Sequence, residues 1–196
     1  MPRPLRLFVA IDPPRETIAA SGRIIERLKR AGVQAAWVQP ERQHLTLQFL
    51  GDEIDDADLH RICVAIDEAA SAVAPFAVAY GGVGVFPDTR RPRVLWLGVT
   101  DGEADLVRLH DALAARLEPL GFPGEARRYR PHLTLGRFRG GGHTMSGDLA
   151  TALDACATVD AGGGPVTRLC LYESQIAKEG SRYDRLHVVQ LGAKRG

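Results

Sequence analysis

Apolar residues recur along this 196-residue chain with two different periods. Short continuous or alternating runs predict strands, and returns every three to four positions predict helices. Residues 5–11 (LRLFVAI) read as a buried strand stopped by Asp12-Pro13-Pro14. Residues 14–30 read as a helix. Pro14 suits its first turn, Ile18, Ile25 and Leu28 share a face, basic residues cluster at its end and Gly32 follows. A short strand is expected at 35–38 and another at 44–50, closed by Gly51-Asp52. Residues 56–73 place Leu59, Ile62, Cys63, Ile66 and Ala70 on the inner face of a helix. A glycine-rich strand or strand pair follows at 76–86.

The second half repeats this order. Residues 93–99 predict a strand, and 102–122 a helix with Leu106, Leu109, Leu113, Leu117 and Leu120 aligned. A basic loop at 125–131 leads into a strand at 132–138. A helix at 146–159 and strands at 166–174 and 185–191 complete the chain. The tetrapeptide HLTL stands at 44–47 and again at 132–135, although the chain has only 6 histidines. Leu7 precedes His44 by 37 residues and Val94 precedes His132 by 38 (44 − 7 and 132 − 94). The tetrapeptides therefore occupy equivalent slots of an internal structural repeat. Two related lobes about a pseudo-twofold axis would bring them face to face.

Side chains two apart on a strand share a face. His44 and Thr46 thus point one way, as do His132 and Thr134, while Leu45, Leu47, Leu133 and Leu135 point into a core. A cleft lined by two imidazoles and two hydroxyls suits acid–base chemistry at phosphorus. One neutral histidine takes a proton from an attacking water, and one protonated histidine gives a proton to the leaving alkoxide. The threonine hydroxyls donate to the phosphate oxygens that gather charge. A zinc site would need a third ligand, and these strand faces offer no Asp, Glu or Cys. A serine-hydrolase reading has no G-x-S-x-G elbow.

Composition narrows the setting. Hydrophobic residues make up 45% and charged residues 25%, as in ordinary globular domains. A net charge of +1 gives no global field for nucleic acid, so an anionic substrate must be held by local basic residues. Cys63, Cys156 and Cys170 are odd in number and far apart, which argues for reduced thiols in a cytoplasmic protein. No signal peptide or membrane-spanning run is read in the chain.

The paired motifs, together with RLFVAI, WVQPERQHLTLQFLGD, VGVFPDTRRPRVLWLGV, YRPHLTLGRF and LYES, resemble the two-histidine phosphoesterases. They resemble in particular the bacterial and archaeal RNA 2′,3′-cyclic phosphodiesterases, historically called 2′-5′ RNA ligases. The resemblance covers nearly the whole chain. It implies an α+β, bilobal fold over residues 1–196, each lobe a mainly antiparallel sheet with outer helices, and the active-site cleft between them. It implies hydrolysis of RNA 2′,3′-cyclic phosphate ends to 2′-phosphates, with 2′-5′ ligation as the reverse chemistry. By the same resemblance His44 is the proton donor to O3′, His132 the proton acceptor from water, and Thr46 and Thr134 hold the phosphate. No cofactor or metal is implied, and a monomer is expected. A small cyclic nucleotide or ADP-ribose cyclic phosphate as substrate, a free nucleotide in the cleft, and a non-catalytic RNA- or nucleotide-binding module are the alternatives.

Phe49 and Arg137 share a slot five residues after each motif histidine. In a regular strand that odd offset places both with the leucines. Phe49 is accordingly expected in the core, with base stacking as its alternative. A buried Arg137 needs a partner, and a bulge or strand end would instead turn it to the cleft and a phosphate. Arg127, Arg128 and Arg130 are candidates to grip RNA or to form a solvated loop, and the same holds for Arg90, Arg91 and Arg93. His60 and His110 are expected on helix surfaces, and His143 and His187 carry no role. No sequence argument places Tyr172, Ser174 or Tyr183.

Overall fold

The computed structural model describes residues 3–124, 127–138, 149–177 and 180–193. Its elements run β1 (Leu5–Ile11), α1 (Arg15–Arg30), β2 (Ala36–Trp37), β3 (Leu45–Ile54), α2 (Leu59–Ser71), β4 (Phe76–Phe86) and β5 (Val94–Asp101). They continue with α3 (Glu103–Leu117), β6 (His132–Arg137), α4 (Leu149–Asp154), β7 (Asp160–Val166), β8 (Arg168–Ala177) and β9 (Gly180–Gln190). The strands form one 9-stranded sheet in the order β7-β4-β5-β6-β3-β1-β8-β9, with β2 paired to β6 outside this path. Every pairing is antiparallel.

The sheet has two four-stranded halves that meet where β3 pairs β6 through Leu45 and Leu133. These are the second residues of the two tetrapeptides, so identical positions cross antiparallel and a local twofold axis runs between them. β1, β3, β5 and β6 occupy the slots that the internal repeat predicts. The repeat is not two consecutive lobes, however. β4 follows the first motif in sequence but pairs with β5 of the second half, while β8 returns to pair with β1.

One apolar core runs under the whole sheet and joins both halves. Leu106, Leu109, Leu113 and Leu117 of α3 are fully buried, as their spacing predicts. Complete burial of such a side chain contributes about 1.5–3 kcal/mol. α3 packs on α2 and on β3, and α1 packs on β7. A smaller cluster of Phe8, Ala10, Cys170 and Tyr172 lies apart from this core, with Phe49 and Tyr183 packed against it.

Two bulges correct the strand reading. Along β1, Val9 pairs Gln48 but its neighbour Ala10 pairs Thr46. Along β5, Leu95 pairs Gly136 but Trp96 pairs Thr134. Each motif strand therefore carries one extra residue at its second leucine, Leu47 or Leu135, where two residues oppose one. Leu47 and Gln48 are both buried, as are Leu135 and Gly136. Beyond the bulge the alternation inverts, which takes Phe49 out of the leucine core and into the smaller cluster. Arg137, in the matching slot, is exposed.

Other boundaries shift less. β3 extends to Ile54 and β9 begins at Gly180, beyond the apolar runs that predicted them. The helix expected over 146–159 is α4 over Leu149–Asp154, its expected start lying outside the described residues. β7 was not expected at all. The three cysteines are free, Cys156 and Cys170 buried.

Candidate active site

The Leu45–Leu133 crossing determines the arrangement of both motifs. Extending that antiparallel register by one residue each way sets His44 beside Thr134 and Thr46 beside His132. All four side chains leave the face opposite the two buried leucines. Each histidine is thus neighboured by the other motif's threonine. His132 is close enough to His44 for its charge to act on the His44 ring.

Both imidazoles are held in the same way. His44 Nδ1 lies 3.0 Å from the backbone carbonyl of Arg42, and His132 Nδ1 lies 2.7 Å from that of Arg130. A carbonyl can only accept, so Nδ1 carries the hydrogen and Nε2 holds the lone pair of each neutral ring. The sequence signal was an arginine two residues before each histidine, in RQH and RPH. It is the main-chain oxygen, not the guanidinium, that orients the ring.

The surroundings of the two histidines differ. The His44 ring packs against Phe8 at a centroid distance of 4.6 Å and meets Tyr183 edge-on at 4.9 Å. Burial lowers the pKa of His44 below its usual 6.5, and the Arg42 carbonyl and Asp12 offset this only in part. His132 meets Phe86 edge-on at 5.1 Å. Phe86 also contacts Trp96, whose indole nitrogen is buried without a partner among the described residues. Trp96 lies over Gly84, where a Cβ would come within 2.2 Å of the indole ring.

Beside His44 is a pocket of about 310 Å³ between the end of β1, the start of α1, residues 40–43 and strands β8 and β9. Phe8, Tyr172 and Tyr183 line it. Asp12 stands at its edge, accepting from the Tyr172 hydroxyl at 2.5 Å and from Arg185 at 2.9 Å. Burial, followed by the bond to Asp12, pushes the Tyr172 phenol above its usual pKa. Tyr172 and Tyr183 come from sheet-distant sequence, and only the β1–β8–β9 pairing brings them to His44.

The remaining candidates separate clearly. Arg130 stacks over Phe86 at 5.0 Å, next to His132. Arg137 bears on His44 electrostatically, lowering its pKa. Phe49 is half-buried beneath the Arg6 guanidinium at 4.6 Å. Arg127, Arg128, Arg90, Arg91 and Arg93 are exposed. His60 is exposed too, whereas His187 Nε2 lies 2.6 Å from Asp67. His110, expected at the surface, instead stacks face to face on Tyr129 at 4.3 Å. Tyr129 was read only as part of a basic loop, yet its hydroxyl donates to the Thr46 carbonyl at 2.9 Å. His143 lies outside the described residues. No group of three or more His, Cys, Asp or Glu among the described residues could hold a metal ion.

Residues 9–175 match the 2′-5′ RNA ligase superfamily, and the chain belongs to it. It is 34% identical over 189 residues to the RNA 2′,3′-cyclic phosphodiesterase of Methanothermobacter thermautotrophicus, covering 95% of this chain and 99% of that protein. It is 32% identical over 173 residues to the protein of the same name from Aquifex aeolicus, covering 86% and 90%. Its fold matches that of E. coli LigT complexed with 3′-AMP, with a TM-score of 0.74 and 25% identity over 96% of this chain and 99% of that one. No helix among the described residues is long and apolar enough to cross a membrane.

Proposed function

We propose that residues 1–196 form a single bilobal domain that hydrolyses RNA 2′,3′-cyclic phosphate ends to 2′-phosphomonoesters, as a cytoplasmic monomer. The carrying observation is the crossing of the two motifs at Leu45 and Leu133, with Nδ1 of both histidines donating to a carbonyl. Relatives named RNA 2′,3′-cyclic phosphodiesterase over most of the chain support the reaction.

In the mechanism, His132 Nε2 takes a proton from water as the water oxygen bonds to phosphorus. The phosphorus–O3′ bond breaks, and His44 Nε2 gives its proton to O3′. The phosphate stays on O2′. Thr46 and Thr134 donate to the non-bridging oxygens, whose charge grows in the transition state. Burial makes the His44 imidazolium a stronger acid, which supports its role as donor. Arg137 and Arg130 add positive charge around the phosphate. With the 5′-hydroxyl of a second RNA in place of water, the same transfers join RNA ends 2′-5′.

The test is a short RNA ending in a 2′,3′-cyclic phosphate, assayed in EDTA with wild type, His44→Ala and His132→Ala. Conversion to a 2′-phosphate by wild type, lost in both variants, is expected. A 3′-phosphate product would overturn the roles assigned to the histidines, and no turnover by wild type would overturn the activity.

A further inference from the structure

An in-line displacement at phosphorus has two ends. If His44 protonates the leaving O3′, the attacking oxygen stands on the opposite side of phosphorus, beside His132. Whatever carries that oxygen is received on the second-motif side of the cleft. Water needs nothing there beyond His132 itself, yet the surface around His132 is aromatic and strongly basic.

Phe86, at the end of β4, meets the His132 ring edge-on at 5.1 Å, and the Arg130 guanidinium lies over the same phenyl ring at 5.0 Å. The chain turns after Phe86 and brings Arg90, Arg91 and Arg93 to this end of the sheet, where the Arg93 backbone N–H donates to the Phe86 carbonyl at 2.7 Å. Arg137 of β6 pairs with Val94, the neighbour of Arg93. All five arginines are exposed.

The two halves of the sheet use their arginines differently. Arg6 of β1, Arg168 of β8, and Arg182 and Arg185 of β9 each pair with a carboxylate, from Asp52, Asp12 or Asp184. None of the five arginines around Phe86 forms an ion pair among the described residues. Asp88, in the same turn, accepts from the backbone N–H groups of Arg90 and Arg91 at 2.8 and 3.0 Å. In a chain of net charge +1, uncompensated positive charge is thus gathered on the nucleophile side. A stacking face beside unpaired guanidinium groups suits a base and its phosphates.

We propose that the face of Phe86 and Arg130 is an acceptor site. It seats the 5′-terminal nucleotide of a second RNA, with its 5′-hydroxyl at His132 and its downstream phosphates on Arg90, Arg91 and Arg93. The proposal rests on the roles given above to the two histidines. In the joining step His132 takes the proton of the 5′-hydroxyl, the phosphorus–O5′ bond forms, the phosphorus–O3′ bond breaks, and O3′ takes the proton of His44. The donor strand continues from its terminal ribose on the first-motif side, where the arginines are already paired.

The test follows one donor, a dinucleotide ending in a 2′,3′-cyclic phosphate, through hydrolysis alone and through joining to a 5′-hydroxyl oligoribonucleotide. In the double variant Arg90→Gln/Arg91→Gln, hydrolysis should be unchanged, while KM for the acceptor rises at least about tenfold. The salt dependence of that KM should weaken by about 1 to 1.5 in log–log slope, two phosphate contacts on a single strand. Arg90→Lys/Arg91→Lys keeps the charge and should restore most of the joining. Unchanged joining in the glutamine pair, or no recovery in the lysine pair, would overturn the acceptor site. Equal loss of hydrolysis and joining would mean that these arginines hold the donor, and would overturn it too. A wild type that hydrolyses the donor but never joins it would overturn the acceptor site and leave the hydrolytic activity standing. A wild type inactive in both would overturn the activity, and the acceptor site with it.

Discussion

The phenolic hydroxyl of Tyr129 donates a 2.9 Å hydrogen bond to the backbone carbonyl of Thr46. Tyr129 sits three residues before His132, so this bond ties the approach to one motif onto the strand of the other. Gln48 makes a second tie, donating its amide to the Phe122 carbonyl at 2.9 Å. Tyr129→Phe removes one tie and keeps the stack on His110. Loss of one neutral hydrogen bond should cost about 1 kcal/mol of stability. Because it loosens the spacing between the motifs, kcat should fall about tenfold with KM unchanged. Steady-state kinetics alongside a urea titration would check this; a kcat equal to wild type would show that the tie does not hold the catalytic geometry.

The lowered pKa of His44 has a consequence for pH dependence. As the acid it must be protonated, so kcat/KM, which reports the free enzyme, should fall as pH rises through a value below 6.5. A bound phosphodiester anion favours the imidazolium and raises that pKa. The falling limb of kcat should therefore lie at higher pH than the falling limb of kcat/KM. Two coincident limbs in a pH–rate profile would contradict the assignment of His44 as donor.

Thr46 and Thr134 are related by the local twofold and should be of similar importance. Thr46→Val and Thr134→Val keep shape and remove the hydroxyl. Each should lower kcat by about 10²-fold, the usual loss on removing one donor to developing negative charge. A variant that retains full kcat would exclude its hydroxyl from the phosphate site.

Gly84 is a position where the second lobe should tolerate little change. Gly84→Ala drives a methyl into the Trp96 ring, which pairs across to Thr134. A displaced indole in a packed sheet should cost about 1–3 kcal/mol. In a chain of this size that corresponds to a Tm lower by about 2–4 °C per kcal/mol. Scanning calorimetry would detect it, and an unchanged Tm would mean that the indole moves aside freely.

The repeated tetrapeptide and the strand–helix order around it were legible because they depend on local periodicity alone. The leucine ridge of α3 and the apolar run of β1 are of the same kind. Phe49 was misplaced because parity counting assumes a regular strand, and the bulge at Leu47 inverts the side chains that follow it until the next register shift, after Phe49. The two bulges coincide with the second leucine of each HLTL, so tetrapeptides of unchanged sequence conceal the irregularity. β7 was missed because DAGGGPV reads as a loop. It pairs at the edge of the sheet, where Pro165 is tolerated, and Gly163 lies so close to β4 that a Cβ would approach Val78 O to 2.2 Å. Tyr172 and Tyr183 reach His44 only through long-range pairing, and no local pattern announces that.

The exchange of β4 and β8 between the halves of the sheet makes each half of the chain incomplete by itself. A fragment ending before β5 would carry the first motif but leave β1 with an open edge where β8 belongs, and β4 without any partner. The reciprocal fragment would keep β8 paired to β9 but open the edge of β8 where β1 belongs. The duplicated architecture is thus interlocked rather than modular. The two histidines should therefore be assembled together, with neither motif in working form before the other.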